Sequence, residues 1–287
     1  MNAPLSPKLM TDLRRAQPWL GTLVAIQASG LAPGALSQAV EFAFRAVAQV
    51  HALMSFHDPD SDLSRLNRTA HAGPATVSRH VLRVLRTACR LSALTEGRFD
   101  VTVAPALVRW GYLPAPAGGP EATGTWRDIV FGPGDTVQFA RPLLIDLGGI
   151  AKGYAVDMAI AALRRARVPQ ACVNAGGDLR FYGTEPRRIG VRDPADTTRV
   201  RLLPPLLQGA VATSCVADSR RQHAQGWCSP LVDPRNGQAF ATPDSVTVLA
   251  HSCLYADALT KPVAIDAAAA TPVLRRLRAQ ALWLSAS

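Results

Sequence analysis

The spacing of apolar and polar residues predicts several helices. Apolar side chains recur every third or fourth position from Leu36 to Phe56, which is the period of an amphipathic helix. A second helix is predicted from Ser78 to Glu96, because Ser78 is a favourable N-cap and Gly97 a favourable stop. Further helices are predicted over about 150–167, 255–266 and 271–280.

Short apolar runs bounded by turn residues predict strands. The first covers about 20–28 and follows residues 1–17, which we expect to form a loose leader. Residues 113–125 are rich in Pro, Gly and Ala and predict a loop. The remaining strands are predicted at 143–147, 170–174, 179–183, 188–192 and 245–250.

Helices and strands are mixed along the chain without strict alternation, which predicts an α+β fold rather than a βαβ fold. A single domain over residues 18–287 accounts for the pattern. With 48% hydrophobic and 18% charged residues, the 287-residue chain is long and apolar enough to fold around a substantial core. No apolar run approaches the roughly 18–20 residues of a membrane helix, so no membrane span is expected.

The formal net charge of +10 comes almost entirely from arginine, since the sequence contains three lysines, Lys8, Lys152 and Lys261. The arginines are scattered and do not alternate with aromatic residues, so nucleic acid is not an expected partner. Five widely spaced cysteines without a CxxC pair indicate neither a disulfide framework nor a zinc site. The first residues lack the apolar segment of a secretory signal and a lipobox cysteine, which predicts a cytoplasmic protein.

Two predicted strands end in a glycine pair. In IDLGGIAKGYAVD, residues 145–157, the pair follows Asp146 and precedes Lys152 and a helix start. Free N–H groups and the ammonium could bind a phosphate there, and the alternative is an ordinary strand-to-helix turn with a solvated lysine. In VNAGGDLRFYG, residues 173–183, Asp178 follows the pair, and a hairpin turn is the favoured interpretation.

The segment YADALTKPVAI, residues 255–265, places Asp257, Thr260 and Lys261 on one face of a helix. A carboxylate and a hydroxyl near a helix start suit a hard cation such as Mg²⁺. The alternative is an acidic residue that interacts with the helix dipole and pairs with Lys261 four positions later. A fourth segment, GRFDVTVAPALVRWGY at residues 97–112, predicts a turn that leads into a buried stretch.

Taken together, these segments resemble the ApbE family, the FAD:protein FMN transferases. They occur in the family's order between residues 18 and 265. The matching stretches are PWLGTLVAIQ (18–27), MSFHDPDSDLSRLN (54–67), GRFDVTVAPALVRWGY (97–112), IDLGGIAKGYAVD (145–157), VNAGGDLRFYG (173–183), VATS (211–214), LVDPRNGQ (231–238) and SVTVLAHSCLYADALTK (245–261).

The resemblance implies a single α+β domain related to the T-fold, with FAD bound in a cleft and Mg²⁺ at the FAD diphosphate. It implies that FMN passes from FAD to a Ser or Thr hydroxyl of an acceptor protein, with release of AMP. Lys152 would stabilise charge on the diphosphate and Asp257 would hold the metal. The flavin-contacting positions match Leu20, His57, Phe99, Asp100, Val101, Asp146, Lys152 and Val232, and the metal positions match Gly149, Asp257, Thr260 and Lys261.

Two positions depart from the family pattern. The family places Thr four residues after the metal-binding Asp, where this chain has Lys261. We expect Mg²⁺ to bind more weakly here, with Lys261 compensating as a charged partner of Asp257 or of the diphosphate. The family also places a His, regarded as a base, where this chain has Pro230. Two alternatives therefore stay open, a Mg²⁺-dependent FAD pyrophosphatase and a non-catalytic FAD-binding protein.

Overall fold

The structure is a computed structural model that describes residues 12–116, 118, 121–196, 198–215, 220–223, 226–240 and 244–286. Within these ranges the α-helices are α1 (Pro33–Met54), α2 (Asp62–Thr69), α3 (Arg79–Leu94), α4 (Ala104–Arg109), α5 (Ala151–Arg165), α6 (Cys253–Ile265) and α7 (Ala267–Arg276). The strands are β1 (Asp12–Trp19), β2 (Thr22–Ser29), β3 (Ala75–Thr76), β4 (Ile129–Phe131), β5 (Thr136–Phe139), β6 (Gln170–Ala175), β7 (Asp178–Arg187), β8 (Gly190–Arg192), β9 (Val200–Leu202), β10 (Leu206–Cys215), β11 (Arg221–His223), β12 (Gly226–Cys228), β13 (Val232–Asp233), β14 (Gln238–Ala239), β15 (Ser245–Ala250) and β16 (Gln280–Leu284). Short 3₁₀ turns lie at Val101–Val103 and Trp126–Asp128.

The centre of the fold is an antiparallel sheet that has seven strands within the described residues. Its strand order is β1-β2-β6-β7-β10-β15-β16. Helices α1, α5 and α6 pack on one face, toward which alternate residues of the strands, such as Val24 and Ile26 of β2, are fully buried. On the other face, Val191 of β8 packs with Leu179 and Phe181 in a smaller apolar cluster. The first face is the one that positions the site described below.

The α+β class predicted from the sequence is confirmed. Helices α1, α3, α5 and α6 lie within a few residues of their predicted bounds, and β15 covers the predicted 245–250. Strands β6, β7 and β8 occupy the places of the three strands predicted between residues 170 and 192. No helix within the described ranges combines the length and the apolar composition needed to cross a bilayer.

The prediction of a loose leader over residues 1–17 is wrong for its last part. Residues 12–17 belong to β1, which pairs along its whole length with β2. The turn between them consists of Leu20 and Gly21, whose positive φ angles of 57° and 71° are typical of a two-residue hairpin turn. Because β1 is an edge strand in which half of the residues are polar, held by main-chain hydrogen bonds, its sequence carries little apolar alternation. Residues 1–11 lie outside the described part of the chain.

Two further elements differ from their predictions. Residues 143–147 do not form a strand. The main chain of Ile145 is bonded to a side chain instead: its N–H donates to Oδ1 of Asn67 at 2.9 Å, and its carbonyl accepts from Nδ2 of Asn67 at 3.0 Å. The helix predicted over 271–280 corresponds to α7, which covers Ala267–Arg276 and so begins and ends four residues earlier. Strand β16 follows it at Gln280–Leu284. A positive φ of 51° at Arg278 turns the chain between the two elements. Strand β10, an interior strand that lies between β7 and β15, was not predicted.

Candidate active site

Helix α5 begins directly after the glycine turn of residues 146–149 and carries Lys152 in its first turn. Lys152 Nζ donates a hydrogen bond to Oδ2 of Asp178, the first residue of β7. The hairpin turn before Asp178 is made by Gly176 and Gly177, whose φ angles of 62° and 103° favour glycine. The hairpin interpretation of this segment is therefore confirmed. One ion pair joins the two segments that contain glycine pairs.

Burial acts differently on the two partners of this ion pair. Asp178 has 3% of its side chain exposed, whereas Lys152 has 34% exposed. Burial and the nearby Asp257 carboxylate raise the pKa of Asp178 to about 6, although Lys152 acts in the opposite direction. Burial disfavours the charged form of Lys152, but the Asp257 and Asp178 carboxylates outweigh burial and raise the pKa of Lys152. The ammonium therefore keeps its charge.

A second ion pair lies within α6. Asp257 has 1% of its side chain exposed, and its Oδ2 accepts the N–H of Gly153 at 3.0 Å. Lys261 Nζ donates to Oδ1 of Asp257 and, at 2.8 Å, to the main-chain oxygen of the same residue. Burial opposes the ionisation of Asp257, but Lys152 and Lys261 hold its pKa below the usual value. Lys152, Asp178, Asp257 and Lys261 together form a charge cluster where α5, α6 and β7 meet.

Gly153 allows close packing at the charge cluster, and Gly149 lies beside the Lys261 side chain. A Cβ atom on Gly153 would lie 2.2 Å from the carbonyl oxygen of Cys253, so glycine is required where α5 crosses α6. A Cβ atom on Gly149 would lie 3.4 Å from Cε of Lys261 and 3.8 Å from the ring of Phe99. The Lys261 side chain therefore runs directly past the glycine turn to reach Asp257.

Thr260, the predicted metal position between Asp257 and Lys261, contacts the sheet and takes no part in their ion pair. Its side chain is buried, with 1% of the residue exposed. The hydroxyl donates to the main-chain oxygen of Asp257 at 2.7 Å, and Oγ of Ser214 in β10 lies 2.7 Å from the same hydroxyl oxygen. The hydroxyl donor of Thr260 is thus used within α6, and its oxygen also contacts the sheet through Ser214.

The glycine turn is also tied to the segment that precedes α4. Asp146 donates its N–H to the carbonyl of Val101 at 2.8 Å and accepts the N–H of Gly148 at 3.0 Å. Asp100 accepts hydrogen bonds from the N–H (2.9 Å) and the hydroxyl (2.8 Å) of Thr102. Burial raises the pKa values of both Asp146 and Asp100. Four predicted flavin positions, Phe99, Asp100, Val101 and Asp146, are therefore brought together around one turn.

The remaining predicted flavin positions lie on other elements. His57 is exposed and lines a cavity of about 950 Å³ together with Leu143 and Leu144. Leu20 lies in the β1–β2 turn, and Val232 is buried against α4. Among the described residues, no hydrogen bond joins Leu20 or Val232 to the charge cluster. The cavity lies within the volume range of small-molecule sites.

Several residues of this site were missed as site residues in the sequence. Asp178 was noticed beside the second glycine pair, but its partner Lys152 could not be identified without the sheet register. Asn67 ends the matching stretch 54–67 and holds Ile145, which precedes the glycine turn. Asp157 accepts the N–H groups of Cys253 and Leu254 at the start of α6, at 2.9 and 3.0 Å. Asn67, Asp157 and Asp178 each lie within one of the stretches that resemble the ApbE family, and this location was the only sign in the sequence that they belong to the site.

Comparison with known sequences agrees with this arrangement. The sequence profile of the ApbE family matches residues 20–283, and this chain belongs to the ApbE family. The FAD:protein FMN transferase of Vibrio cholerae is 33% identical over 235 residues, which cover 75% of this chain and 69% of that protein. The FAD:protein FMN transferase of Haemophilus influenzae is 29% identical over 235 residues, which cover 74% of this chain and 67% of that protein.

Solved structures share the fold over nearly the whole chain. The crystal structure of the ApbE protein from Thermotoga maritima has a TM-score of 0.82 at 26% identity, covering 95% of this chain and 94% of that one. The flavin transferase ApbE from Vibrio cholerae has a TM-score of 0.80 at 29% identity, covering 96% and 93%.

Proposed function

We propose that this chain transfers FMN from FAD to a Ser or Thr hydroxyl of an acceptor protein and releases AMP. The observation that supports this proposal most strongly is the charge cluster. In it, buried carboxylates hold the ammonium groups of Lys152 and Lys261 beside a glycine turn. Membership of the ApbE family and the names of the relatives support FAD as the substrate.

In the proposed reaction, the acceptor hydroxyl oxygen attacks the phosphorus on the FMN side of the diphosphate. A new P–O bond forms to the acceptor, the P–O bond to AMP breaks, and the hydroxyl proton leaves to solvent or to a basic group. Negative charge on the diphosphate oxygens is offset by the ammonium groups of Lys152 and Lys261. The contribution of the protein is therefore positioning and charge stabilisation.

Mg²⁺ is the metal that the family resemblance implies, and when bound it would offset charge on the diphosphate. A hard cation requires several oxygen ligands, and Asp257 is the one carboxylate among the four predicted metal positions. Its Oδ1 and Oδ2 already accept hydrogen bonds from Lys261 and Gly153. Within the described residues, no group of three or more His, Cys, Asp or Glu side chains is arranged to hold a metal ion. These residues do not fit Mg²⁺ as arranged, and no step of the proposed reaction depends on it.

Product analysis distinguishes this proposal from the two alternatives. The purified protein is incubated with FAD, with and without a flavinylation-site acceptor domain, and AMP and FMN are separated by chromatography. Transfer predicts AMP that forms only with the acceptor and no free FMN. A pyrophosphatase would release AMP and FMN without the acceptor, and a binding protein would release neither. An acceptor whose target Ser or Thr is replaced by Ala is the control.

A further inference from the structure

The position of the Lys261 ammonium coincides with the set of groups that would surround a metal ion. Its Nζ donates to two oxygens of Asp257, the carboxylate Oδ1 and the main-chain oxygen. Its Cε lies 3.4 Å from the position of a Cβ atom on Gly149. The side chain of Lys261 thus passes beside Gly149 and is hydrogen-bonded to Asp257, which are two of the other three predicted metal positions. The ammonium itself carries the positive charge at this place.

We infer that the Lys261 ammonium acts as a built-in replacement for the divalent cation, so that FAD binding by this chain does not require Mg²⁺. The inference rests on the proposed function, because the FAD diphosphate is the ligand that the ammonium would contact. A protonated lysine is a compact cation with three N–H donors and no lone pair. It can therefore contact a phosphate oxygen but cannot act as a metal ligand.

The hydrogen bonds of Lys261 suit it to replacing a cation at the FAD diphosphate. Two of its three N–H donors have partners on Asp257, which fixes the ammonium in place. The Lys261 side chain is 22% exposed, so it is partly accessible to solvent. Asp257 in turn is held by Gly153 of α5. Because the ammonium is already held by Asp257, its third N–H could contact a ligand without the full entropy cost of ordering a free lysine.

The surrounding charges disfavour a metal ion in addition to Lys261. Lys152 and Lys261 are paired with Asp178 and Asp257, so the four residues of the charge cluster carry no net charge when all are ionised. An ion placed at Asp257 would also be repelled by the adjacent ammonium. The Thr260 hydroxyl donates to Asp257 O and lies 2.7 Å from Ser214 Oγ, so these two hydrogen bonds would compete with a role as a metal ligand.

The test compares the FAD affinity of four proteins in Mg²⁺ and in EDTA by calorimetric titration. They are the wild type, Lys261→Thr, Lys261→Met and, as the control, Arg276→Thr, which removes an exposed cation of α7. For the wild type and the control we expect dissociation constants that agree within about twofold in the two conditions. Lys261→Thr should depend on Mg²⁺ by at least about tenfold, and Lys261→Met should bind FAD at least about tenfold more weakly in both.

A wild-type affinity that falls tenfold or more in EDTA overturns the inference, and so does a Lys261→Thr variant with no metal dependence. Thermal unfolding checks that each variant folds; if Lys261→Thr does not, the wild-type comparison decides alone. Failure of the wild type to bind FAD in either condition overturns the proposed function and this inference with it. Metal-independent FAD binding without flavin transfer supports the inference and contradicts the transferase proposal, so the two failures are distinguishable.

Discussion

The N–H of Gly153 donates to Oδ2 of Asp257 at 3.0 Å, which ties the first turn of α5 to the middle of α6. The two helices approach so closely at this point that a Cβ atom on Gly153 would meet the carbonyl of Cys253. Since Lys152 and Lys261 extend from the same two helices, this contact contributes to the spacing of the two ammonium groups. The charge cluster is therefore a product of helix packing as much as of its own ion pairs.

Replacing Gly153 with Ala should separate α5 from α6. The added methyl group would lie 2.2 Å from Cys253 O, which is backbone and cannot move aside easily. We expect a loss of about 1–3 kcal/mol in the free energy of unfolding, measured by urea denaturation. Gly34→Ala in α1 is the matched control, because a Cβ atom there would have no neighbour within 4 Å. Equal stability of the two variants would contradict the close approach.

Asp257→Asn should keep the fold but lose turnover. An amide oxygen at this position can still accept the Gly153 N–H, whereas the uncharged side chain no longer holds the Lys261 ammonium. We expect AMP release in the presence of acceptor to fall by at least about tenfold at saturating FAD. Asp60→Asn, at an exposed position, is the control. Unchanged AMP release in Asp257→Asn would show that this carboxylate is not essential.

Lys152→Met should lower the rate of transfer more than the affinity for FAD. The substitution keeps an unbranched side chain of nearly the same length and removes the charge that the proposed reaction uses on the diphosphate. The expected decrease in the single-turnover rate of AMP formation is about 10²-fold. Lys152→Arg should recover part of the rate, since it retains the charge but not the geometry of an ammonium. A Met variant as fast as the wild type would remove Lys152 from the mechanism.

Asn67→Ala tests a residue that positions the site without belonging to the charge cluster. The substitution leaves the N–H and the carbonyl of Ile145 without their partners, 2.9 and 3.0 Å away in the wild type. We expect a loss of about 1–3 kcal/mol in stability and weaker FAD binding. Asn67→Asp, which keeps the acceptor and loses the donor, should lie between the two. If FAD affinity does not change in Asn67→Ala, the segment before the glycine turn is held by other contacts.

The sequence predicted those parts of the fold that local patterns determine. Leu36 to Phe56 and Ser78 to Glu96 carry a clear helical period and good boundary residues, and both helices are present. Strand β1 was missed because its polar residues are ordered by pairing with β2, which no local pattern reveals. Likewise, β10 owes its place to β7 and β15 on either side.

The site shows the same division between local and long-range information. Asp257 and Lys261 are four residues apart on one helix, so their pairing was predictable as an alternative. Lys152 and Asp178 are joined only once α5 packs on the sheet. The contact of Lys261 with the Gly149 turn depends on the crossing of α5 and α6, and it could not be read from spacing.

Intact mass spectrometry of the acceptor protein tests the proposed transfer most directly. The acceptor domain is incubated with FAD and this protein, and AMP is quantified in the same sample. The proposal predicts an acceptor mass increased by one covalently bound FMN moiety at a Ser or Thr, with one AMP formed for each modified acceptor. An acceptor of unchanged mass, with or without release of AMP and free FMN, would contradict it.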